Sequence, residues 1–135
     1  MSVTHIGTHR ELIVWQKGMR LFVDSWRLAR RLPAPERFDL ASQIRRSSLS
    51  IPSNIAEGKG RDYLGDYLRH LSIAKGSAFE LDSQLLGIRV LVPSLAREAT
   101  RLVQLDAEVS RMLFELSRQL RTRTDLRRAR FTQKR

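Results

Sequence analysis

Between Leu64 and Val92 the chain places apolar residues at 64, 67, 71, 74, 78, 81, 85, 88 and 92, in unbroken steps of three and four. A β-strand cannot use that spacing, because its side chains change face at every second residue; a helix puts all nine on one side. At about 1.5 Å per residue such a helix is roughly 40 Å long, about eight turns. One apolar stripe of that length must be covered by other elements, and the remaining residues are best able to supply helices.

Glycine and proline divide the chain at Gly7, at Pro33 with Pro35, at Gly58 with Gly60, and at Pro93. The first segment predicts a core-facing stripe of Leu12, Trp15, Met19, Phe22, Trp26 and Ala29, ended by the prolines because the residue before a proline is driven out of the helical region. The second runs from about Glu36 to Ala56 with Leu40, Ile44, Ser48, Ile51 and Ile55 on one face, and Gly58-Lys59-Gly60-Arg61 reads as its stop. Asp62 is then placed to cap the third helix. The fourth segment repeats the pattern at Leu95, Ala99, Leu102, Leu105, Val109, Met112, Leu116 and Leu120. Four such helices with short connections predict an all-α, antiparallel up-down four-helix bundle. It is expected to span 11–122, between a flexible N-terminus at 1–10 and a basic C-terminal tail at 123–135.

The second segment contains Pro52, which removes a backbone hydrogen bond from a helix interior at a cost of ~3 kcal/mol. Ile51 and Ile55 keep their helical step across it, so a kinked core helix is expected, with Asn54 serving the carbonyl that the kink frees. The third segment has a second face, opposite the core stripe: Gly65, Ser72, Gly76, Ser83 and Gly87, flanked by Ile73, Phe79, Leu86 and Val90. Glycine inside a helix costs roughly 1 kcal/mol relative to alanine, and small residues let another helix approach closely. We expect self-association through this face.

Several function classes find no support in the residues. Without cysteine there are neither disulfides nor thiolate chemistry. The three histidines, His5, His9 and His70, stand apart, and their spacing to acids matches no metal site. The acid pairs Asp62/Asp66 and Glu80/Asp82 read as solvated helix surface rather than acid–base machinery. No catalytic, cofactor-binding or metal-binding residue is expected, and the chain is read as a non-enzyme. No apolar run approaches a membrane span, and Met1 to Arg10 lacks the core of a signal peptide, so a cytoplasmic address without membrane contact is expected.

Charge is the compositional outlier. The chain carries a formal +11, of which residues 118–135 hold +7: eight Lys/Arg against Asp125 alone. Such an excess suits phosphate backbones or acidic protein surfaces. The candidate nucleic-acid contacts are the tail residues Arg118, Arg121, Arg123, Arg127, Arg128 and Arg130, with Arg45, Arg46, Lys59, Arg61 and Arg69 as a second patch. For Arg45 and Arg46 a structural pairing with Glu57, Glu80 or Asp82 is the favoured alternative. Aromatics outside the expected core are few, so base stacking has little support.

Four stretches carry a resemblance: Glu11-Leu12-Ile13-Val14-Trp15-Gln16-Lys17, Gln43-Ile44-Arg45-Arg46-Ser47, Ser50 through Gly58, and Ala74-Lys75-Gly76-Ser77-Ala78-Phe79-Glu80-Leu81. Together they resemble the four-helix bundle protein family, also called the 23S ribosomal RNA intervening-sequence protein family; residues beyond about Thr122 lie outside it. The resemblance implies a small cytosolic bundle assembled as a ring-shaped homopentamer, with no enzyme activity and with RNA or DNA as a suspected partner. It also implies an alternative, an adaptor or scaffold ring serving a protein partner such as a reverse transcriptase.

Overall fold

A computed structural model describes residues 7–133, and for Glu36, Thr124 and 126–133 only the backbone. The described chain is all-helical: α1 (Ile13–Ala29), α2 (Glu36–Lys59), α3 (Leu64–Leu91) and α4 (Ala96–Gln133), with 3-10 turns at His9–Glu11 and Pro93–Leu95. Each helix packs against the next in sequence and α1 closes onto α4, the weakest of the four seams. This is the antiparallel up-down bundle that the spacing predicts.

The third stripe is the core. Leu71, Ala74, Ala78, Leu81, Leu85 and Ile88 are fully buried, joined by Ile44, Ile51 and Ile55 from α2 and by Val109 and Leu113 from α4. In α4 the buried line also takes in Asp106, Leu113 and Ser117, while the expected Leu105, Met112 and Leu116 are only partly covered.

In α1 the expected stripe is displaced by one position. Val14, Gly18, Leu21, Ser25, Leu28 and Ala29 face the core, leaving Trp15, Met19 and Phe22 half-buried and Trp26 exposed. Gly18 marks where this register brings α1 close to α2. A Cβ built there would lie 3.5 Å from Ile51 Cγ2, 3.7 Å from Ile55 Cδ1 and 3.8 Å from Pro52 Cβ, so the bare backbone of α1 seats directly on the proline-bearing turn of α2. Large aromatics facing that line would hold the helices apart.

α2 stays helical through the buried Pro52 and beyond Gly58. The helix ends at Lys59 with Gly60 as its C-cap, so the Gly58–Arg61 stretch is its stop as expected, while Gly58 itself is still helical and is a crossing point. A Cβ there would fall 2.9 Å from His70 Cβ and 3.2 Å from the Tyr67 carbonyl oxygen, closer than real side chains pack. Asn54 Nδ2 donates to the Ser50 carbonyl (2.8 Å) and to Ser50 Oγ (3.0 Å). The carbonyl that Pro52 frees belongs to Ser48, so the expected role of Asn54 is corrected. Nor does Asp62 cap α3: its N-cap is Tyr63, without a side-chain hydrogen bond.

The N-terminal expectation also changes in part. Thr8 Oγ1 accepts from the Arg10 amide, and His9 meets Trp15 edge-on at 5.0 Å, so residues 8–11 form a turn docked on α1. Residues 1–6 lie outside the described chain.

Candidate nucleic-acid interface

Along the α2–α3 seam, polar residues recur beside the apolar stripe. Ser47 Oγ donates to Gln84 Oε1 (2.6 Å), Ser77 Oγ to Ser50 Oγ (2.7 Å), and His70 Nδ1 lies 3.0 Å from Asn54 Oδ1 and 3.1 Å from Glu57 Oε2. The α3 members fall seven residues apart, at 70, 77 and 84, opposite 54, 50 and 47 of the antiparallel α2. Both neighbours of His70 Nδ1 are acceptors, so that nitrogen carries the proton. A hydrogen bond of this kind contributes only about 1 kcal/mol, yet a slipped register would strand several buried polar atoms, so the seam specifies helix alignment.

The charges expected to pair across this seam do not. Glu57 takes Arg61 (3.4 Å) and His70, Glu80 accepts from Gln84 (3.4 Å), and Asp82 lies in the field of Asp106. Arg45 instead lays its guanidinium over the Trp26 ring, 4.4 Å from the centroid, with Nε buried and unpartnered. Arg46 is exposed beside it. Among the described residues neither arginine meets an acid.

The remaining members of the second patch are dispersed. Lys59 is half-buried at the far end of α2, about 21 Å along the helix from Arg45. Arg61 is exposed but engaged with Glu57, and Arg69 projects from α3. The five residues thus do not form one patch, and only Arg45 and Arg46 remain together.

The basic tail is continuous with α4. Leu120 is the last buried residue among the described side chains, and the backbone stays helical to Gln133, roughly 20 Å further. Arg118 is exposed and bonds Glu115 through Nε at 3.1 Å. Arg121 and Arg123 are exposed, whereas the side chains of Arg127, Arg128 and Arg130 lie outside the described set.

On α3 the outer face is open. A Cβ at Gly65, Gly76 or Gly87 would meet nothing within 4 Å, and Ser72 and Ser83 are exposed. Ile73, Phe79, Leu86 and Val90 are exposed as well, Val90 at 79%. Phe114 of α4, which the sequence pattern does not single out, extends this surface by meeting Phe79 edge-on at 6.3 Å, with Lys75 Nζ 4.7 Å over its ring. Burial, and then the charge of Arg121, hold the Lys75 ammonium below its usual pKa.

Two further features were not legible in the pattern. Asp106 is buried in α4 with Oδ1 unpartnered, and burial, followed by the Asp82 charge, pushes its pKa up to about 7. Between α1 and α4 lies a groove of about 390 Å³ floored by Leu28, Leu102 and Leu105. Of the arginines that line it, Arg31 pairs with Glu98 (3.3 Å) and Arg20 and Arg27 both with Asp24 (3.9 and 3.8 Å), while Arg101 forms no ion pair among the described residues but lends its charge to Glu98; Lys17 bonds Glu108. Among the described residues no group of His, Asp and Glu could hold a metal ion, and no helix is long and apolar enough to cross a membrane.

A family model described as 23S rRNA-intervening sequence protein matches residues 10–115. The chain belongs to that family. Among solved structures it is similar to a protein of unknown function from the S23 ribosomal protein family of Bacteroides thetaiotaomicron, at 23% identity and a TM-score of 0.72. That alignment covers 78% of this chain and 98% of the other, so the likeness is one of fold over nearly the whole of the smaller protein. No curated protein matches. The matched region takes in the whole of α1, α2 and α3 and stops short of the arginine-rich end of α4.

Proposed function

We propose that this family member is a non-enzymatic, self-associating bundle that binds nucleic acid, RNA foremost, through electrostatic contacts. The observation that carries the reading is a pair of arginines, Arg45 and Arg46, that lies in the family-like stretch without acid partners, in a chain of formal charge +11. Guanidinium forks left free are suited to phosphate oxygens, which they bind in parallel hydrogen bonds. The exposed arginines on the protruding end of α4 would add a less specific contribution.

Self-association through the outer face of α3 fits this function. Several copies in a ring, five as the family resemblance implies, would multiply each weak site and raise avidity without stronger individual contacts. An exposed cluster of Ile73, Phe79, Leu86, Val90 and Phe114 is the kind of surface that marks association.

Mobility shifts of a labelled RNA across a salt series test the binding. Affinity is expected to fall linearly on a log–log plot, by about 0.7 in slope for each single-strand phosphate engaged. Absence of a shift at low salt would sink the reading. Light scattering of the wild type and of Phe79→Glu tests assembly: the wild type is expected as an oligomer and the variant as a smaller species. A monomeric wild type at micromolar concentration refutes the role of α3.

The same apolar face supports a second reading, a scaffold ring that presents a surface to a protein partner such as a nucleic-acid enzyme. Co-purification of a defined partner that Phe79→Glu abolishes, in a protein that binds no RNA, would favour it.

A further inference from the structure

The cationic surfaces of this bundle differ in whether their charge is already answered. In the α1–α4 groove Arg20, Arg27 and Arg31 each sit on a carboxylate and Arg101 lies in the field of Glu98, so an incoming anion would have to compete with Asp24 or Glu98. On the outer seam of α1 and α2 the opposite holds. Arg45 and Arg46 are the only charged residues between Asp39 and Glu57, so no acid stands one helical turn away in either direction.

Arg45 is also held in a particular posture. Its guanidinium lies over the Trp26 ring, Trp26 is 40% exposed, and Phe22 supports the indole edge-on at 5.9 Å with an interplanar angle of 75°. The arginine is itself half-exposed, and Leu49, one turn along α2, is exposed beside it. A guanidinium seated over an indole offers a cationic, π-rich platform. A nucleobase has a π-face that stacks on such a platform, and the phosphates on either side of it carry the charge that Arg45 and Arg46 lack opposite them. Bases inside a duplex are already stacked on their neighbours, so only an unpaired nucleotide can use the platform.

We propose that the outer α1–α2 seam is a stacking site for an unpaired nucleotide, with the base on the Arg45–Trp26 pair and the adjoining phosphates on Arg45 and Arg46. This rests on the reading that the protein binds nucleic acid, and it makes single-stranded or looped RNA the preferred form. Few aromatics were expected outside the core, which gave base stacking little support; the register of α1 adds Trp26 to them.

The test uses the full chain and fluorescence anisotropy with two labelled probes, a 20-nucleotide oligoadenylate RNA and a 20-base-pair RNA duplex, at matched salt. The wild type is expected to favour the single strand. Arg45→Lys keeps the charge and loses the planar fork, and is expected to weaken single-strand binding about tenfold while changing duplex binding by no more than about twofold. Trp26→Leu is expected to act in the same direction, and far-UV circular dichroism confirms that each variant is folded. If the wild type binds but Arg45→Lys leaves both probes unaffected, or weakens both alike, the site is wrong and nucleic-acid binding stands. If the wild type binds neither probe at any salt, the functional reading falls and takes the site with it. A change in oligomer size in Arg45→Lys without any change in RNA binding would overturn the proposal in favour of a seam between copies.

Discussion

Replacing Asp106 by asparagine should flatten the pH dependence of stability, and the size of the effect follows from where the carboxyl sits. Asp106 is 2% exposed with Oδ1 unpartnered, and burial together with Asp82 raises its pKa from 3.8 to about 7. In the unfolded chain the same group loses its proton near pH 4. Between those values the native state holds a proton that the unfolded state has released, so stability falls as pH rises from about 4 to 7 and levels off above. The full difference corresponds to roughly 4 kcal/mol, a large fraction of the stability of a domain this size. Asparagine has nearly the same shape and does not titrate. Urea unfolding followed by circular dichroism at pH 4.5, 6 and 8 should therefore show the variant gaining on the wild type by a few kcal/mol across the series. Groups common to both proteins cancel in that difference. Two curves that run parallel from pH 4.5 to 8 would refute the reasoning, since they would mean that Asp106 titrates alike in both states.

Gly58→Ala should cost about 1–3 kcal/mol, because its Cβ would overlap His70 and the Tyr67 backbone, whereas Gly18→Ala, whose Cβ meets only ordinary contacts at 3.5–3.8 Å, should be neutral or slightly stabilising; urea midpoints separate the two. Ser47→Ala leaves Gln84 Oε1 without its buried donor and should destabilise by about 1–2 kcal/mol, and the further change of Gln84 to leucine should recover much of that loss. Lys17→Ala removes an ion pair at a partly exposed rim and should cost no more than about 1 kcal/mol, a loss that shrinks further in high salt.

The bundle itself was readable because a stripe of large apolar residues has few structural solutions. Leu71 through Ile88 occupy the positions that a single helical face requires, and α2 keeps its isoleucines in step across Pro52. The register of α1 was not readable, since bulk and hydrophobicity point to Trp15, Phe22 and Trp26, while the line that faces α2 is made of smaller residues, Gly18 and Ser25 among them. The stop at 58–61 was readable, but the second role of Gly58 was not, for a related reason: a glycine near a helix end looks the same whether it only ends the helix or also admits a neighbour. The polar seam left a faint trace, the seven-residue spacing of His70, Ser77 and Gln84, but only the antiparallel partner gives that spacing meaning. Of the candidate site, Arg45 and Arg46 were legible as candidates, but the sequence favoured their pairing with Glu57, Glu80 or Asp82, and the platform beneath Arg45 was not legible, because it depends on the α1 register.

These points bear on how one stretch of α2 serves two ends. From Ser47 to Gly58 almost every residue answers to packing: Ser47 and Ser50 align α3, Ile51, Pro52 and Ile55 receive Gly18, and Gly58 admits His70. Each of these roles constrains size or hydrogen bonding at a buried position. Arg45 and Arg46 answer to none of them, for they neutralise no acid, and Arg45 leaves an Nε donor shut away from water without an acceptor. An unsatisfied buried donor costs about 1–3 kcal/mol, a debit that cation–π attraction to Trp26 of about 1 kcal/mol at a half-exposed position does not clearly offset. What the fold gains from α1 lying in this register is a seated Gly18; what it presents as a consequence is an indole turned outward beneath a guanidinium that no acid neutralises, the combination on which the proposed stacking site is built.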